Sequence, residues 1–260
     1  MNILENIIES KKISLKRQKD TTSYKKLEAS NYFKKASLSL AKRLNGNNSN
    51  GIIAEFKRRS PSKGIINDKA DIKDVVKAYE EFGAAGISIL TDETFFGGSS
   101  IDMMKARETV NIPLLRKDFI IDEFQVVEAK SIGADVILLI AACLTPAEVK
   151  KLAGVAKNIG LEILLELHEE KELDHMCDDT EMIGINNRNL KTFEVDIERS
   201  LRMAEMIPAN KIKIAESGIN SVDNIVLFKE NGFKGFLIGE TFMKEENPGN
   251  AFREFIKKLK

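Results

Sequence analysis

The sequence has 260 residues, of which 43% are hydrophobic and 31% are charged. A chain of this size and composition can bury a substantial core, which excludes intrinsic disorder and collagen-like repetition. Forty basic residues balance forty acidic ones, so no net positive field attracts nucleic acid or an anionic membrane, and we expect a small ligand or a protein as partner.

Residues 1–50 differ from the rest of the chain in charge and in pattern. They contain eleven basic and four acidic residues, a net charge of +7, which we interpret as a solvated face, with steering of an anionic ligand as the alternative. Ile3, Leu4, Ile7 and Ile8 form one apolar stripe at helical spacing, which predicts a helix docked on the rest of the protein. The polar segment 45–50 is predicted to be a linker into the first strand.

After residue 50, helical segments repeatedly end at a glycine and an apolar strand follows. The pattern recurs at Gly83, Gly133, Gly160 and Gly232, which we interpret as residues that end helices. The strands are apolar on both faces and lie far enough apart for a covering helix in between, which is typical of a parallel sheet between two layers. Eight strands are predicted, at 51–56, 86–91, 112–117, 135–140, 161–166, 182–187, 211–216 and 235–239.

These units predict a (β/α)8 TIM barrel with an N-terminal helical extension over residues 1–50, the whole of 1–260 forming a single domain. A doubly wound open sheet is the alternative fold. That fold would normally carry a glycine-rich loop after its first strand, and the sequence has none.

Charged side chains are concentrated at the carboxyl ends of the predicted strands, where barrel enzymes place their chemistry. Alternation along each strand puts a set of polar residues on one face, and an inward orientation of that face would bring the set to one mouth of the barrel. A structural ion-pair network is the alternative to a catalytic cluster. The set comprises Glu55, Lys57, Lys117, Glu166, Asn186 and Glu216.

The loops after the seventh and eighth predicted strands contain glycine, which lets the backbone approach an anion closely. Barrels often bind phosphate at these two loops through backbone N–H groups. Dipeptides that contain glycine also occur in ordinary turns, so the prediction depends on their position after the seventh and eighth strands. The candidate phosphate-binding residues are Ser217, Gly218, Gly239 and Glu240.

The sequence indicates neither a metal site nor a disulfide framework. His168 and His175 have no third ligand nearby, so we interpret both as surface residues and expect no metal. Cys143 and Cys177 lack a CxxC spacing, which indicates a reducing compartment. No apolar run is long enough to span a membrane, and acidic residues interrupt the first apolar stretch where a signal peptide would be continuous. We expect a cytoplasmic monomer that binds neither nucleic acid nor membranes.

Seven segments, spread in order from the first predicted strand to the eighth, resemble the indole-3-glycerol-phosphate synthase family. The combination of EFKRRSPSKG, RKDFI and NNRNL is highly specific, and an extension ahead of the first strand is also found in that family. Asn189 stands where the family more often has aspartate, which would weaken the positioning of Arg188. The segments are IIAEFKRRSPSKG at 52–64, ILTDETFFGGS at 89–99, LLRKDFIID at 114–122, GADVILLIAACL at 133–144, IGINNRNL at 183–190, IAESGI at 214–219 and FLIGETFM at 236–243.

The resemblance implies a lyase of tryptophan biosynthesis that needs no metal or organic cofactor. Its small-molecule substrate would be 1-(2-carboxyphenylamino)-1-deoxyribulose 5-phosphate, whose pyrrole ring closes with loss of CO2 and water. The polar cluster matches the family's active-site residues, and the two glycine-containing loops match its phosphate site. The resemblance adds two supporting polar positions, Ser60 and Arg188. It also implies an apolar wall for the anthranilate ring, formed by Phe96, Phe119 and Leu138.

The chemistry of this family gives each residue type a role. Lys117 is the predicted general acid at the ketone oxygen. We expect Lys57 to lower the pKa of Lys117 by like-charge repulsion and to pair with the substrate carboxylate. Dehydration needs a base that takes the anilinic proton and an acid that helps hydroxide to leave; Glu166 is predicted to take one of these parts, and Lys57 to be the acid. Glu55 and Glu216 are predicted to orient the lysines and the ribulose hydroxyls.

Two other functions stay open at this point. Another sugar-phosphate barrel enzyme, such as an isomerase of the same pathway, would share the phosphate loops but would need no pair of facing lysines. A non-catalytic barrel that binds a phosphorylated metabolite would tolerate the loss of one lysine, whereas Lys57 and Lys117 are both present.

Overall fold

Eight parallel strands close into a barrel in the computed structural model, which describes residues 3–189 and 192–259. Each strand pairs with its neighbours in the chain, and the last pairs with the first, which confirms the predicted (β/α)8 barrel. The predicted ranges 1–50 and 1–260 include residues 1, 2, 190, 191 and 260, which lie outside the described residues. The strands are β1 Ile52–Phe56, β2 Gly86–Leu90, β3 Leu114–Lys117, β4 Val136–Ile140, β5 Glu162–Leu167, β6 Met182–Asn186, β7 Ile212–Glu216 and β8 Phe233–Ile238. A small antiparallel hairpin, Arg59–Ser60 with Gly64–Ile65, lies in the loop after β1.

Helices surround the barrel and also form the extension. Asp and Ser side chains cap the N-termini of most of them, as at Asp71 and Ser99, and so accept backbone N–H groups that have no partner within the helix. In the described part of the chain no helix has both the length and the apolar character that a membrane crossing needs. The helices are α1 Ile3–Thr21, α2 Tyr24–Glu28, α3 Leu40–Leu44, α4 Ile72–Glu81, α5 Glu93–Phe96, α6 Ser100–Thr109, α7 Glu123–Ser131, α8 Pro146–Asn158, α9 Ile197–Met206, α10 Val222–Glu230, α11 Glu240–Met243 and α12 Pro248–Leu259.

The fifth unit departs from the predicted pattern, because β5 is followed by a 3-10 helix, Glu170–His175, and not by an α-helix. Glu172 folds the segment back on the strand, since its Oε2 accepts the backbone N–H of His168 at 2.6 Å and of Glu169 at 3.1 Å. The turn therefore holds the residues that follow β5 close to the barrel mouth.

Two apolar layers follow from the alternation of side chains along the strands. Ile53, Leu138, Leu164 and Ile214 belong to one buried cluster inside the barrel. The neighbouring residues on the same strands, such as Ile52, pack in a second cluster against the surrounding helices. The face predicted to point inward therefore does so, and its last polar residues lie at the mouth.

The N-terminal extension reaches both ends of the barrel. Leu40, Ala41 and Leu44 of α3 are buried in the interior cluster and close the end at which the strands begin. Glu162, the first residue of β5, fixes this plug, because its Oε2 accepts the backbone N–H groups of Leu40 at 2.8 Å and Ala41 at 3.1 Å. This end is therefore sealed, and a ligand must enter at the opposite end.

Helix α1 lies at that opposite end, as its apolar stripe predicts. Ile3, Leu4 and Ile7 line the cavity at the mouth, and Ile7 is buried. The Lys11 ammonium anchors the helix, with Nζ 3.0 Å from Asp92 Oδ2 and 2.7 Å from Asp118 Oδ1. Burial opposes ionisation of Asp118, but attraction to Lys11 and Arg116 lowers its pKa to about 2.

Replacing Lys11 with alanine should destabilise the protein strongly, because it removes the cation that lies between two buried carboxylates, Asp92 and Asp118, and leaves Asp118 with Arg116 alone. We expect the free energy of unfolding to fall by about 3 kcal/mol in urea denaturation. Lys12→Ala is the matched control on the same helix, since Lys12 and its partner Glu9 are exposed, and it should change the value by less than ~1 kcal/mol. Equal effects of the two substitutions would contradict the assigned anchor.

Candidate active site

A cavity of about 640 Å³ opens at the carboxyl ends of the strands. Every side chain predicted from the strand ends, from the glycine loops and from the resemblance lines it. The structure therefore brings together residues that are spread over most of the chain. They are Glu55, Lys57, Ser60, Phe96, Lys117, Phe119, Leu138, Glu166, Asn186, Arg188, Glu216, Ser217, Gly218, Gly239 and Glu240.

The Lys117 ammonium lies between two carboxylates at the centre of this cavity. Its Nζ is 2.6 Å from Glu166 Oε2 and 3.0 Å from Glu216 Oε2. The three residues belong to β3, β5 and β7, so the inward face of alternate strands supplies them. Asn186 at the end of β6 completes the group by donating from Nδ2 to Glu166 Oε1 at 2.9 Å.

A missing side chain on β6 makes room for this cluster. Gly184 is the register neighbour of both Glu166 and Ile214. A Cβ atom at Gly184 would overlap Glu216 Oε1, so no larger residue fits while Glu216 points at Lys117. The glycine is thus required by a close approach and not by a turn.

The second lysine forms a separate pair on β1 and the loop that follows. Lys57 Nζ lies 2.8 Å from Glu55 Oε1, and Ser88 Oγ lies 3.4 Å from the other carboxylate oxygen of Glu55. The expectation that Lys57 lowers the pKa of Lys117 is wrong for this arrangement. Burial alone would lower the pKa of Lys117, but attraction to Glu166, Glu216 and Glu55 outweighs it and raises that pKa.

The two carboxylates beside Lys117 differ in their affinity for protons. Burial opposes ionisation of Glu166, yet the Lys117 charge and the neighbouring His168 hold its pKa well below the ordinary value. Burial raises the pKa of Glu216 to about 7, with Lys117 opposing the rise and repulsion from Glu166 adding to it. Glu216 Oε1 is buried without a hydrogen-bond partner among the described residues. One carboxylate is thus a fixed anion, and the other titrates near neutral pH.

An apolar wall stands beside the charged groups. The rings of Phe96 and Phe119 lie 6.0 Å apart, centroid to centroid, at an angle of 37°. Leu138 of β4 lies in the same cavity lining and is almost fully buried. A flat aromatic group can pack against this wall while its substituents reach the polar cluster.

The loop after β7 has an unusual backbone that neighbouring residues fix. Ser217 and Gly218 both have positive φ, 67° and 72°. Asn187 holds the turn by donating from Nδ2 to the Ser217 carbonyl at 2.7 Å. A Cβ at Gly218 would overlap Val195, so this position also excludes a side chain.

The cations on the rim of the cavity are only loosely paired. Glu240 Oε1 lies 3.7 Å from Lys63 Nζ, and Glu240 Oε2 lies 3.8 Å from Arg188 Nη2. Arg188 also donates from Nη1 to the Phe193 carbonyl at 3.1 Å. This backbone contact orients the guanidinium, so the asparagine at position 189 does not leave Arg188 without support.

The interpretation of both histidines as surface residues is wrong. His168 is only 4% exposed, and its Nε2 lies 3.1 Å from Glu166 Oε1. The His175 side chain is 11% exposed, with its Nε2 2.9 Å from the Leu144 carbonyl oxygen. The alternation that places Glu166 inside the barrel also places His168, two residues later, on the same side, and this signal could have identified it.

Comparison with known proteins agrees with this geometry. The sequence model of the family described as indole-3-glycerol phosphate synthase matches residues 4–255. An indole-3-glycerol phosphate synthase of Bacteroides thetaiotaomicron is 46% identical over 258 residues, 99% of each chain. That of Koribacter versatilis is 48% identical over 206 residues, 79% of each chain.

The chain belongs to the indole-3-glycerol phosphate synthase family. This confirms the resemblance and the prediction of a decarboxylating lyase of tryptophan biosynthesis.

Solved structures support the barrel fold alone. A mutant tryptophan synthase alpha-subunit from Pyrococcus furiosus superposes with a TM-score of 0.61 at 13% identity, covering 80% of this chain and 97% of that one. The protein KGPDC from Streptococcus mutans gives 0.57 at 18% identity with the same coverage. Similarity at this level is to the architecture and does not reach the site chemistry.

The raised pKa of Glu216 should make the free energy of unfolding depend on pH, and the substitution Glu216→Gln should remove this dependence. The unfolded chain releases this proton near the ordinary glutamate pKa and the folded chain only near 7, so rising pH favours the unfolded state over that interval. Relative to Glu216→Gln, the wild-type protein should therefore lose roughly 1–3 kcal/mol of stability between about pH 5 and 7. Urea unfolding at several pH values measures this difference. Glu230→Gln at the exposed end of α10 is the control. If the difference in unfolding free energy between the wild-type protein and Glu216→Gln does not change with pH, the raised pKa of Glu216 is contradicted.

Proposed function

We propose that the groups lining this cavity close the pyrrole ring of 1-(2-carboxyphenylamino)-1-deoxyribulose 5-phosphate, with Lys117 as the general acid. The observation that carries the proposal is the central cluster, in which Lys117 Nζ lies within 3.0 Å of both Glu166 and Glu216. A charged ammonium fixed in a largely buried site can deliver a proton where negative charge develops.

The cavity offers a different surface for each part of this substrate. The anthranilate ring packs against Phe96, Phe119 and Leu138. The ring carboxylate meets Lys57, which gives up part of its contact with Glu55. The phosphate lies at the loops after β7 and β8, across the barrel from Phe119 and Leu138, where Ser217, Gly218, Gly239 and Glu240 present the backbone.

Loosely held cations support the phosphate end. Lys63 and Arg188 lie 3.7 and 3.8 Å from the Glu240 carboxylate, well beyond the distances of the central pairs. Breaking such weak pairs costs little, so both cations can turn to a phosphate dianion. The tight central pairs remain in place, which separates binding of the phosphate from the chemistry. In this account Glu240 contributes its backbone, and its carboxylate holds the cations in the free enzyme.

Ring closure begins when the aromatic carbon that bears the carboxylate attacks the ketone carbon. The new carbon–carbon bond forms as the carbonyl π electrons move to oxygen, and Lys117 transfers a proton to that oxygen. Loss of CO2 then returns its bond electrons to the ring and restores aromaticity. Protonation of the oxygen avoids a free alkoxide in the cavity, and this is the step that needs a positioned acid.

Dehydration completes the reaction. A base removes the anilinic proton while the former carbonyl oxygen leaves as water, after gaining a second proton. Glu166 is suited to the base role because it is ionised, and Lys57 is suited to supply the proton. Lys117 is neutral after ring closure and lies 2.6 Å from Glu166 Oε2, so the proton that Glu166 takes up can pass to Lys117 and restore the charges of the pair.

The remaining polar groups position these three. Asn186 fixes one oxygen of Glu166, Glu55 holds Lys57, and Glu216 holds Lys117 on the side away from Glu166. Ser60 lies on the cavity lining, and we expect it to contact the substrate's hydroxyl groups. Preorganisation of this kind lowers the barrier because the groups need not reorient during the reaction.

We also expect a cytoplasmic monomer that needs no metal or organic cofactor. Support for a reducing compartment comes from Cys143 and Cys177, both of which are free thiols. Two lysines can balance the carboxylate that is lost as CO2, so the chemistry proposed here has no step that requires an added electrophile.

Replacing Lys117 with methionine should lower kcat by at least ~100-fold with little change in KM, because the acid is lost and the binding surfaces remain. Lys63→Met is the comparison, since it should raise KM and leave kcat nearly unchanged. Steady-state kinetics measures both, with circular dichroism to show that each variant is folded. Near-normal turnover of Lys117→Met would exclude the assigned role.

Inorganic phosphate should inhibit competitively, because it can occupy the phosphate end of the cavity. Arg188→Gln should weaken this inhibition about tenfold, the usual scale for loss of a charge-assisted contact. Lys258→Gln, on the exposed side of α12, should leave the inhibition constant unchanged. Inhibition that is insensitive to Arg188→Gln would place the phosphate elsewhere.

A further inference from the structure

His168 is a buried imidazole that the proposed mechanism leaves without a role. It follows directly after β5, on the same inward side as Glu166. Its side chain is 5% exposed. A titratable side chain at this depth normally has a hydrogen-bond partner for each polar atom, and an exception calls for a functional explanation.

The contacts of the two ring nitrogens are incomplete. Nε2 lies 3.1 Å from Glu166 Oε1, and Nδ1 lies 3.9 Å from Glu172 Oε2. Neither nitrogen has an aligned hydrogen bond among the described residues. Hydrogen bonds in active sites are often poorly aligned in the free enzyme and tighten in the complex with substrate. The short Nε2 distance is therefore the contact to explain.

The proton on His168 is placed by electrostatics. A lone pair on Nε2 would face a carboxylate oxygen 3.1 Å away, which is repulsive, whereas an N–H group there is attractive. Glu172 cannot rotate to compete for this position, because its Oε2 accepts two backbone N–H groups, those of His168 and Glu169. Nε2 therefore carries hydrogen and faces Glu166.

We propose that His168 is a positioning residue that donates its Nε2–H to Glu166 Oε1 and thereby fixes the carboxylate in its ionised, correctly oriented form. Oε1 is then shared by His168 and Asn186, which leaves Oε2 for Lys117 and the substrate. The inference rests on the proposed role of Glu166 as the base.

The charged surroundings of Glu166 predict how its titration responds to loss of His168. Lys117 of β3 favours the ionised form, whereas repulsion between Glu166 and Glu216 of β7 opposes it. Glu55 of β1 is a further carboxylate that acts on Lys117 and Glu216. Cys143, whose pKa burial raises to about 12, is a neutral neighbour. On the side of His168 the facing carboxylate is Glu172. Removing a donor to a carboxylate raises its pKa by about one unit.

Three substitutions of His168 distinguish loss of the hydrogen-bond donor at Nε2 from loss of the ring's shape. His168→Gln can place an amide N–H where Nε2 lies, His168→Asn reaches only the place of Nδ1, and His168→Phe keeps the ring without a donor. We expect the Phe and Asn variants to lose kcat by about tenfold with KM within about twofold, and the acid limb of their kcat/KM profile to move up by about one pH unit. The Gln variant should keep wild-type kcat and pH profile.

A second measurement does not depend on turnover. The chain has two histidines, so nitrogen NMR of the wild-type protein and of His175→Gln assigns His168 without ambiguity. The spectrum should show hydrogen on Nε2, and Glu166→Gln should alter the Nε2 signal. Hydrogen on Nδ1 alone, or no response to Glu166→Gln, would overturn the inference.

The same variants distinguish failure of this inference from failure of the proposed function. If His168 acts through Glu166, adding His168→Phe to Glu166→Gln should cause no further loss of kcat. A multiplicative loss in the double variant would overturn the positioning role. Normal turnover of Glu166→Gln alone would remove the proposed base, whereas the NMR result would still decide whether His168 donates to Glu166.

Discussion

A buried ammonium between two carboxylates is the constraint on which this site depends. Lys117 Nζ lies 2.6 Å from Glu166 and 3.0 Å from Glu216, and such a cluster is stable only if each charge keeps its partners in fixed geometry. The closed barrel meets this condition because the alternate strands β3, β5 and β7 each carry an inward-facing residue at the carboxyl end. Gly184 adds the space that Glu216 needs. The strands that build the barrel therefore also fix the geometry of the reactive site.

The N-terminal extension completes the barrel at both ends. Helix α3 plugs the end where the strands begin and is fixed there by Glu162. Helix α1 lies at the open mouth, fixed by the Lys11 pairs to Asp92 and Asp118. Asp118 is the residue that follows Lys117, so the anchor of α1 and the proposed acid share one stretch of backbone. The extension is therefore anchored at the residue next to the proposed acid.

The repetition of eight strand-and-helix units was sufficient to predict the barrel, and alternation along the strands was sufficient to place Glu55, Lys117 and Glu166 on one face. Neither pattern was sufficient to predict protonation, because the pKa of Lys117 depends on distances to three carboxylates that no strand pattern contains. His168 was missed for a different reason, since it follows the strand and was interpreted as a surface residue once no third metal ligand was found nearby. The 3-10 turn that buries it depends on a backbone contact of Glu172 that propensity does not indicate.

The central claim is that this cavity closes an indole ring with its own side chains. The direct measurement is to add 1-(2-carboxyphenylamino)-1-deoxyribulose 5-phosphate to the purified protein in EDTA and to follow indole fluorescence, which is favourable because the chain contains no tryptophan. We expect a steady rise that Lys117→Met abolishes. A flat trace with the wild-type protein while the substrate still binds would contradict the central claim.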